Sequence, residues 1–186
     1  MDRLANLLGA TALLLGDGVL DKATRSAGRA GATGAALAVL AQDPGMSIEQ
    51  LRQPLGLSQS ATVRLVDSLV ADGLARRSPG PDGRTVSVHL TRSGRSRARS
   101  VLAGRAELLD EALSDLSHAE RAALTGLLEK VLAGLTTDRA QADRICRLCD
   151  YGSCPQQDCP VEQAACAAAG TGGTGAPAPT QPRRPQ

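Results

Sequence analysis

Residues 46–77 read MSIEQLRQPLGLSQSATVRLVDSLVADGLARR, and this stretch leaves the chain few folds to choose from. Ser47 is placed to cap a helix whose first turn carries Glu49 and Gln50, with Ile48, Leu51 and Leu55 as its apolar face. Pro54 and Gly56 limit its length. Ser58 then caps a second helix, in which Thr62, Leu65, Val66 and Leu69 fall at i, i+3, i+4 and i+7, an inward stripe ended by Gly73. The opposite face displays Gln59, Ser60, Val63, Arg64 and Asp67. Two helices joined by about three residues that include a glycine form a helix-turn-helix. An ordinary helical hairpin with a polar solvent face has the same local pattern, so the residues that follow must decide.

They read RRSPGPDGRTVSVHLTRSG, residues 76–94. Leu74–Arg77 has the character of a short strand, and Asp82-Gly83 supplies a tight turn at low backbone cost. Thr85–Leu90 alternates, with Val86, Val88 and Leu90 expected on one face. A helix-turn-helix followed at once by a β-hairpin is a winged helix. The expected fold class is therefore mainly α with a small β-hairpin wing. Composition agrees: with no Phe, no Trp and a single Tyr, the core must be filled by Leu, Val and Ala, which favours helices over a β-sandwich.

The net charge of +2 conceals an uneven spread. Eight arginines lie between Arg76 and Arg105 against one acid, Asp82. A charge run is usually a solvated helix face, but this one is too one-sided for ion pairing along a helix and points to a polyanion partner. Double-stranded DNA suits the geometry, because the start of the second helix in such a motif enters the major groove. Gln59 matches the donor–acceptor edge of adenine and Arg64 that of guanine; Val63 can touch a thymine methyl, and Ser60 completes the set. Arg84, held out at the hairpin tip, is placed to enter a narrow minor groove, and Asp82 to hold its guanidinium by a charge-assisted bond. Arg76 and Arg77 are phosphate-contact candidates. No Ser-His-Asp arrangement, phosphate-cradling glycine loop or paired-carboxylate cleft is evident, so an enzyme is not expected. His89 and His118 read as structural or solvated.

Together, LGLSQSATVRLVDSLVADGLARR and PDGRTVSVHLTRSG resemble the MarR family of transcriptional regulators. The second segment reproduces that family's wing pattern, an Asp-x-Arg tip followed by a strand ending in Leu-Thr-x-x-Gly. The resemblance implies a homodimer in which the first helix and the last two helices interlock, two winged domains reading a palindromic site, repression of transcription as the expected outcome, and an anionic or aromatic small effector bound between wing domain and dimer helices. The implied layout is a dimerisation helix and loop over 1–33, a winged helix-turn-helix over 34–90 and dimerisation helices over 91–145; composition adds a cysteine-rich segment over 146–166 and a disordered tail over 167–186. The sequence fits it. Thr91 can cap a helix to about Leu116, and Ser117–Glu120 is a capping box opening another. Both carry more apolar positions than one small domain can cover. Residues 2–26 have leucines at helical spacing, with Gly16-Asp17-Gly18 as a candidate break. With no uninterrupted run of 18 apolar residues, no membrane span is expected; the segment reads as an amphipathic helix rather than an export leader, which places the protein in the cytoplasm.

Beyond Asp143 the character changes to RICRLCDYGSCPQQDCPVEQAAC, holding Cys146, Cys149, Cys154, Cys159 and Cys166, all five cysteines of the chain. Three readings stand. Cys146, Cys149, Cys154 and Cys159 could hold zinc, or an iron–sulfur cluster, with Cys166 as the odd one out. Alternatively, Cys146-Arg-Leu-Cys149 could cycle between dithiol and disulfide, helped by Arg144 and Arg147. Or the cysteines are incidental to a solvated tail. For the whole chain, the alternatives to a regulator are a thiol–disulfide redox protein, against which stands the lack of an α/β pattern, and a winged helix that binds proteins rather than DNA.

Overall fold

A computed structural model describes residues 2–80, 83, 85–154 and 156–171. Asp82, Arg84 and residues 172–186 of the expected disordered tail lie outside the described residues. The elements run α1 (Arg3–Ala27), α2 (Thr33–Gln42), α3 (Ile48–Leu55), α4 (Gln59–Ala71), β1 (Ala75–Pro79), β2 (Val86–Leu90), α5 (Arg92–Ala112), α6 (His118–Leu135), α7 (Arg139–Cys146), a 3-10 turn (Gln156–Asp158) and α8 (Pro160–Thr171).

The core forms around α2, whose sequence TGAALAVLAQ has almost no polar face; every residue from Thr33 to Leu40 is buried. A helix apolar all round must be enclosed, and α1, α3, α5 and β2 pack around this one. Leu51 from α3, Val66 and Leu69 from α4, Val88 and Leu90 from β2 and Val101 from α5 complete the cluster. Thr62 is fully buried as well, and its hydroxyl donates to the Ser58 carbonyl at 3.0 Å, so no polar group is stranded.

The helix ends follow their cap residues. Ser47 and Gln50 form a reciprocal capping box on α3, and Gly56 closes it in the left-handed conformation at φ 64°. The Ser58 side chain accepts from Ala61 N at the start of α4. The hairpin pairs β1 with β2 antiparallel, Ala75 opposite Leu90 and Pro79 opposite Val86. Here the expected alternation fails at its outer end. Val86 is 43% exposed, whereas Ser87 is buried. The hairpin has left the domain body by Val86, and Ser87 is covered because its backbone pairs with Ser47 ahead of α3.

The Leu-Thr-x-x-Gly end of the wing now has a physical reading. Leu90 plugs the core, and the Thr91 hydroxyl both accepts from Gly94 N at 3.1 Å and donates to the Gly73 carbonyl at 2.8 Å, stitching the start of α5 to the end of the helix-turn-helix. Gly94 lies so close to strand entry that a Cβ there would collide with the Leu74 carbonyl oxygen. Gly94→Ala is therefore expected to lower the unfolding free energy by about 3 kcal/mol, read by urea titration.

Three corrections concern the N-terminal helix and the region after the wing. First, α1 is continuous through Gly16-Asp17-Gly18, from the Asp2 cap to the left-handed Gly28. Gly18 earns its place by contact: a Cβ there would meet the Leu108 side chain of α5 at 2.8 Å. Second, α1 is long and apolar enough to cross a membrane by length and composition, with a mean hydropathy of 1.3 over its most apolar window, although no uninterrupted run of 18 apolar residues exists. Third, α5 ends at Ala112, short of Leu116, with α6 following through the Ser117–Glu120 capping box. None of the α6 side chains is buried, and Leu4, Leu7, Leu14, Leu127, Leu128 and Leu135 stand exposed on α1 and α6.

The region beyond Asp138 departs most from the sequence reading. Asp138 caps α7, which packs on α3, and α8 packs on α6 and α7. Arg139 joins the two last helices, reaching Glu162 at 2.7 Å and Asp143 at 2.9 Å. The alanine-rich run after Cys166 continues α8 as far as Thr171 instead of starting the tail.

Candidate nucleic-acid interface and cysteine extension

The exposed start of α4 is where the helix-turn-helix argument put it. Gln59, Ser60 and Arg64 are exposed, while Val63 is half-buried. The Ser60 hydroxyl lies 3.3 Å from that of Ser58, so one of these two polar groups is engaged with the cap. Arg64 has no ion-pair partner among the described residues. This end of α4 also carries the positive pole of the helix, which favours a phosphate or an electronegative base edge nearby.

The eight arginines do not act as one patch. On β1, Arg76 is exposed, but Arg77 is 2.7 Å from Asp67 on α4, which braces the wing against the recognition helix. Arg95 donates to the Leu90 carbonyl at 2.9 Å and Arg97 to the Ser26 carbonyl at 3.3 Å, so both serve the fold. Arg105 faces the cysteine extension. The charge run in the sequence therefore overstates what is free to meet a polyanion. Among the described residues, Arg64 and Arg76 have no ion-pair partner on the α4 and wing side, and Asp82 and Arg84 are outside the described residues.

The cysteines are gathered against the winged domain rather than hanging from it. Leu148 belongs to the main core. The Gln42 side chain, at the end of α2, donates to the Cys149 carbonyl at 2.7 Å and accepts from Tyr151 N at 2.6 Å, gripping the chain on both sides of Asp150. Sequence reading missed Gln42; a glutamine closing a helix looks like any solvated residue. Cys149 N donates to the Cys146 carbonyl at 2.9 Å in a tight turn. Cys159 is buried and packs in one small cluster with Cys146, Ala142, Val161 and Ala165. Cys149 and Cys154 line an open cavity of about 530 Å³ against α5, with Arg99, Leu102 and Arg105 on the far wall. Cys166 lies apart on α8, its thiol 3.6 Å from Glu162 Oε1.

These neighbours divide the thiols. Cys149 is pulled down to about 6, first by the S–H of Cys146 and then by the Arg105 guanidinium, against the opposing effect of burial. Cys146 is pushed up by that same hydrogen bond and by burial. Cys154 is pushed up to about 11 by burial and by Cys159. Among the described residues, no three Cys, His, Asp or Glu side chains are disposed to hold a metal ion. His89 packs beside Gly45, and His118 is the exposed first residue of α6.

Comparison with known proteins agrees with this architecture. The MarR family profile matches residues 28–85. The reduced form of MarR from E. coli is 26% identical, covers 71% of this chain and 98% of its own, and superposes with a TM-score of 0.58. RV1404 from Mycobacterium tuberculosis is 26% identical over 68% of this chain and 88% of its own, with a TM-score of 0.60. A MarR family protein from Bacillus stearothermophilus, 22% identical over 72% of this chain and 93% of its own, shares the fold at a TM-score of 0.64. No curated protein sequence matches the chain. Residues 28–85 thus match the MarR family, and the chain has the winged helix-turn-helix fold of the MarR-family regulators it is similar to, extended at its C-terminal side by a segment with five cysteines.

Proposed function

We propose that this protein is a cytoplasmic transcriptional regulator, a repressor, that acts as a homodimer on a palindromic operator. The observation that carries the reading is the exposed, capped start of α4 beside a braced wing, which presents Gln59, Ser60, Val63 and Arg64 together. In this reading α4 lies in the major groove, the wing tip brings Arg84 to the minor groove with Asp82 beside it, and Arg76 and Arg77 touch phosphates. Two such domains are joined through the exposed leucines of α1 and α6. The cysteine extension, gripped by Gln42 and joined to α7, which packs on α3, is the sensory part, since a change in it can pass through these contacts to the helix-turn-helix.

The length and hydropathy of α1 favour a second reading, a membrane anchor. Its inner half argues for the dimer instead. Ala23 and Ala27 belong to the main core, Gly18 abuts Leu108, and Lys22 bridges to Glu107 at 3.4 Å. Inserting α1 into a bilayer would tear out part of the core, whereas a second protomer can cover its outer face and leave those contacts intact.

The test is the salt dependence of binding to duplexes selected from a random pool. Log affinity should fall linearly with log salt, at a slope of about −0.9 per neutralised phosphate. Arg84→Ala should weaken selected-duplex binding by about tenfold or more, as expected for loss of a minor-groove arginine from both half-sites. An affinity indifferent to salt would mean that this winged helix does not bind DNA.

A further inference from the structure

We propose that Cys146 and Cys149 form a reversible dithiol–disulfide site for a peroxide, with Cys149 as the attacking thiol and Cys146 as the resolving one. The proposal deepens the sensory reading of the extension given above and rests on it.

Geometry comes first. The hydrogen bond from Cys149 N to the Cys146 carbonyl closes a turn of the kind that holds its end Cα atoms within about 7 Å. A disulfide spans about 4.4–6.8 Å between Cα atoms, so the pair can be bridged with little backbone movement. Access comes second. Cys149 lines the open cavity against α5, large enough to admit a small peroxide, and Arg105 stands on the wall of that cavity to stabilise a thiolate and the oxygen that leaves it. Cys154 lines the same cavity, but its thiol contact is with Cys159, which is buried, and not with Cys146. The two nucleophilic roles separate by access: Cys149 lines the cavity, whereas Cys146 does not line it and lies one tight turn behind. The Cys146 thiol also touches Cys159, and Cys159 touches Cys154, so a four-thiolate metal site is the competing use of these residues, and the zinc outcome of the experiment below decides between the two.

The chemistry balances with the peroxide as the only co-reactant. The Cys149 thiolate attacks one peroxide oxygen and the O–O bond breaks. The departing oxygen takes up a proton and leaves as water or an alcohol, and Cys149 is left as a sulfenic acid. The Cys146 sulfur then attacks the Cys149 sulfur, the S–S bond forms, and hydroxide leaves as water with the Cys146 proton. Two thiols are oxidised by two electrons, and one peroxide is reduced by two. The consequence for the fold passes through Gln42, which holds the carbonyl of Cys149 itself and the amide of Tyr151. Tightening the turn shifts that carbonyl, and α2 with it.

The experiment uses the full chain purified without air and treated with one equivalent of hydrogen peroxide. Free thiols should fall by two from the five of the reduced chain. Trypsin cuts after Arg147, between the two cysteines, so a bridge should appear as peptide 145–147 linked to the peptide that starts at Leu148. Fragmentation should place the link on Cys149, and dithiothreitol should release it. Cys146→Ser should stop at a sulfenic acid on Cys149 that dimedone captures, and Cys149→Ser should lose no thiol pair. A bridge confined to Cys154 and Cys159, no thiol loss, or about one equivalent of zinc per chain that shields the thiols from peroxide would each overturn the proposal. Wild-type mapping needs no variant to fold. Duplex binding measured on the same samples is a separate readout: a clean bridge in a protein that binds no duplex would sink the DNA reading and leave this site standing.

Discussion

Leu7→Glu combined with Leu127→Glu is expected to convert the proposed dimer to a monomer and to remove duplex binding. Leu7 is 53% exposed and Leu127 is 60% exposed, on two helices that carry a run of further uncovered leucines. Covering a leucine fully is worth about 1.5–3 kcal/mol, and the proposed two-fold dimer counts each substitution twice. Four leucines at those values give roughly 6–12 kcal/mol before the cost of bringing carboxylates into an apolar seam. A dimer of ordinary affinity does not survive such a loss. Sedimentation equilibrium reads the outcome directly, and circular dichroism confirms that the winged core, to which neither side chain contributes, is still folded. If the double variant sediments as a dimer, the uncovered leucines serve something other than a second copy.

Arg64→Ala has the next largest effect, and its character matters more than its size. Arg64 is exposed on the face of α4 that the cap presents and has no ion-pair partner among the described residues. A guanidinium set bidentate on a guanine contributes about 1–3 kcal/mol of discrimination per site, so the proposed pair of half-sites is expected to lose about 2–6 kcal/mol. Anisotropy titrations with a selected duplex and a scrambled one should then show the selected duplex falling toward the scrambled. Arg76→Ala should instead weaken both alike and flatten the salt slope. If Arg64→Ala also weakens both equally, Arg64 is a phosphate contact and the base reading lies elsewhere on α4.

What the sequence makes legible here is what short-range physics governs. Ser47, Ser58, Thr91 and Ser117 each mark a helix start, because a side-chain oxygen satisfies backbone amides within the same turn. The stripe from Thr62 to Leu69 and the hairpin follow from periodicity. The rest depended on partners distant in the chain. Gly16 and Gly18 looked like a break until Leu108 supplied the reason for a small residue at Gly18. Val86 and Ser87 exchange their expected environments because Ser47 comes to lie beside the strand. Charge alone could not divide the arginines between Asp67, two backbone carbonyls, the cysteine cavity and open solvent. The docking of the extension was least legible, since it turns on Gln42, more than a hundred residues from the backbone groups it holds.

That grip has a consequence for anyone watching this protein with light. The chain has no tryptophan or phenylalanine, and its one tyrosine is Tyr151. The amide of that residue is bound to Gln42 and its ring is half-buried at the seam between extension and winged domain. The aromatic ultraviolet emission of the chain therefore comes from a single ring at the seam, a native, label-free reporter of whether the extension is seated.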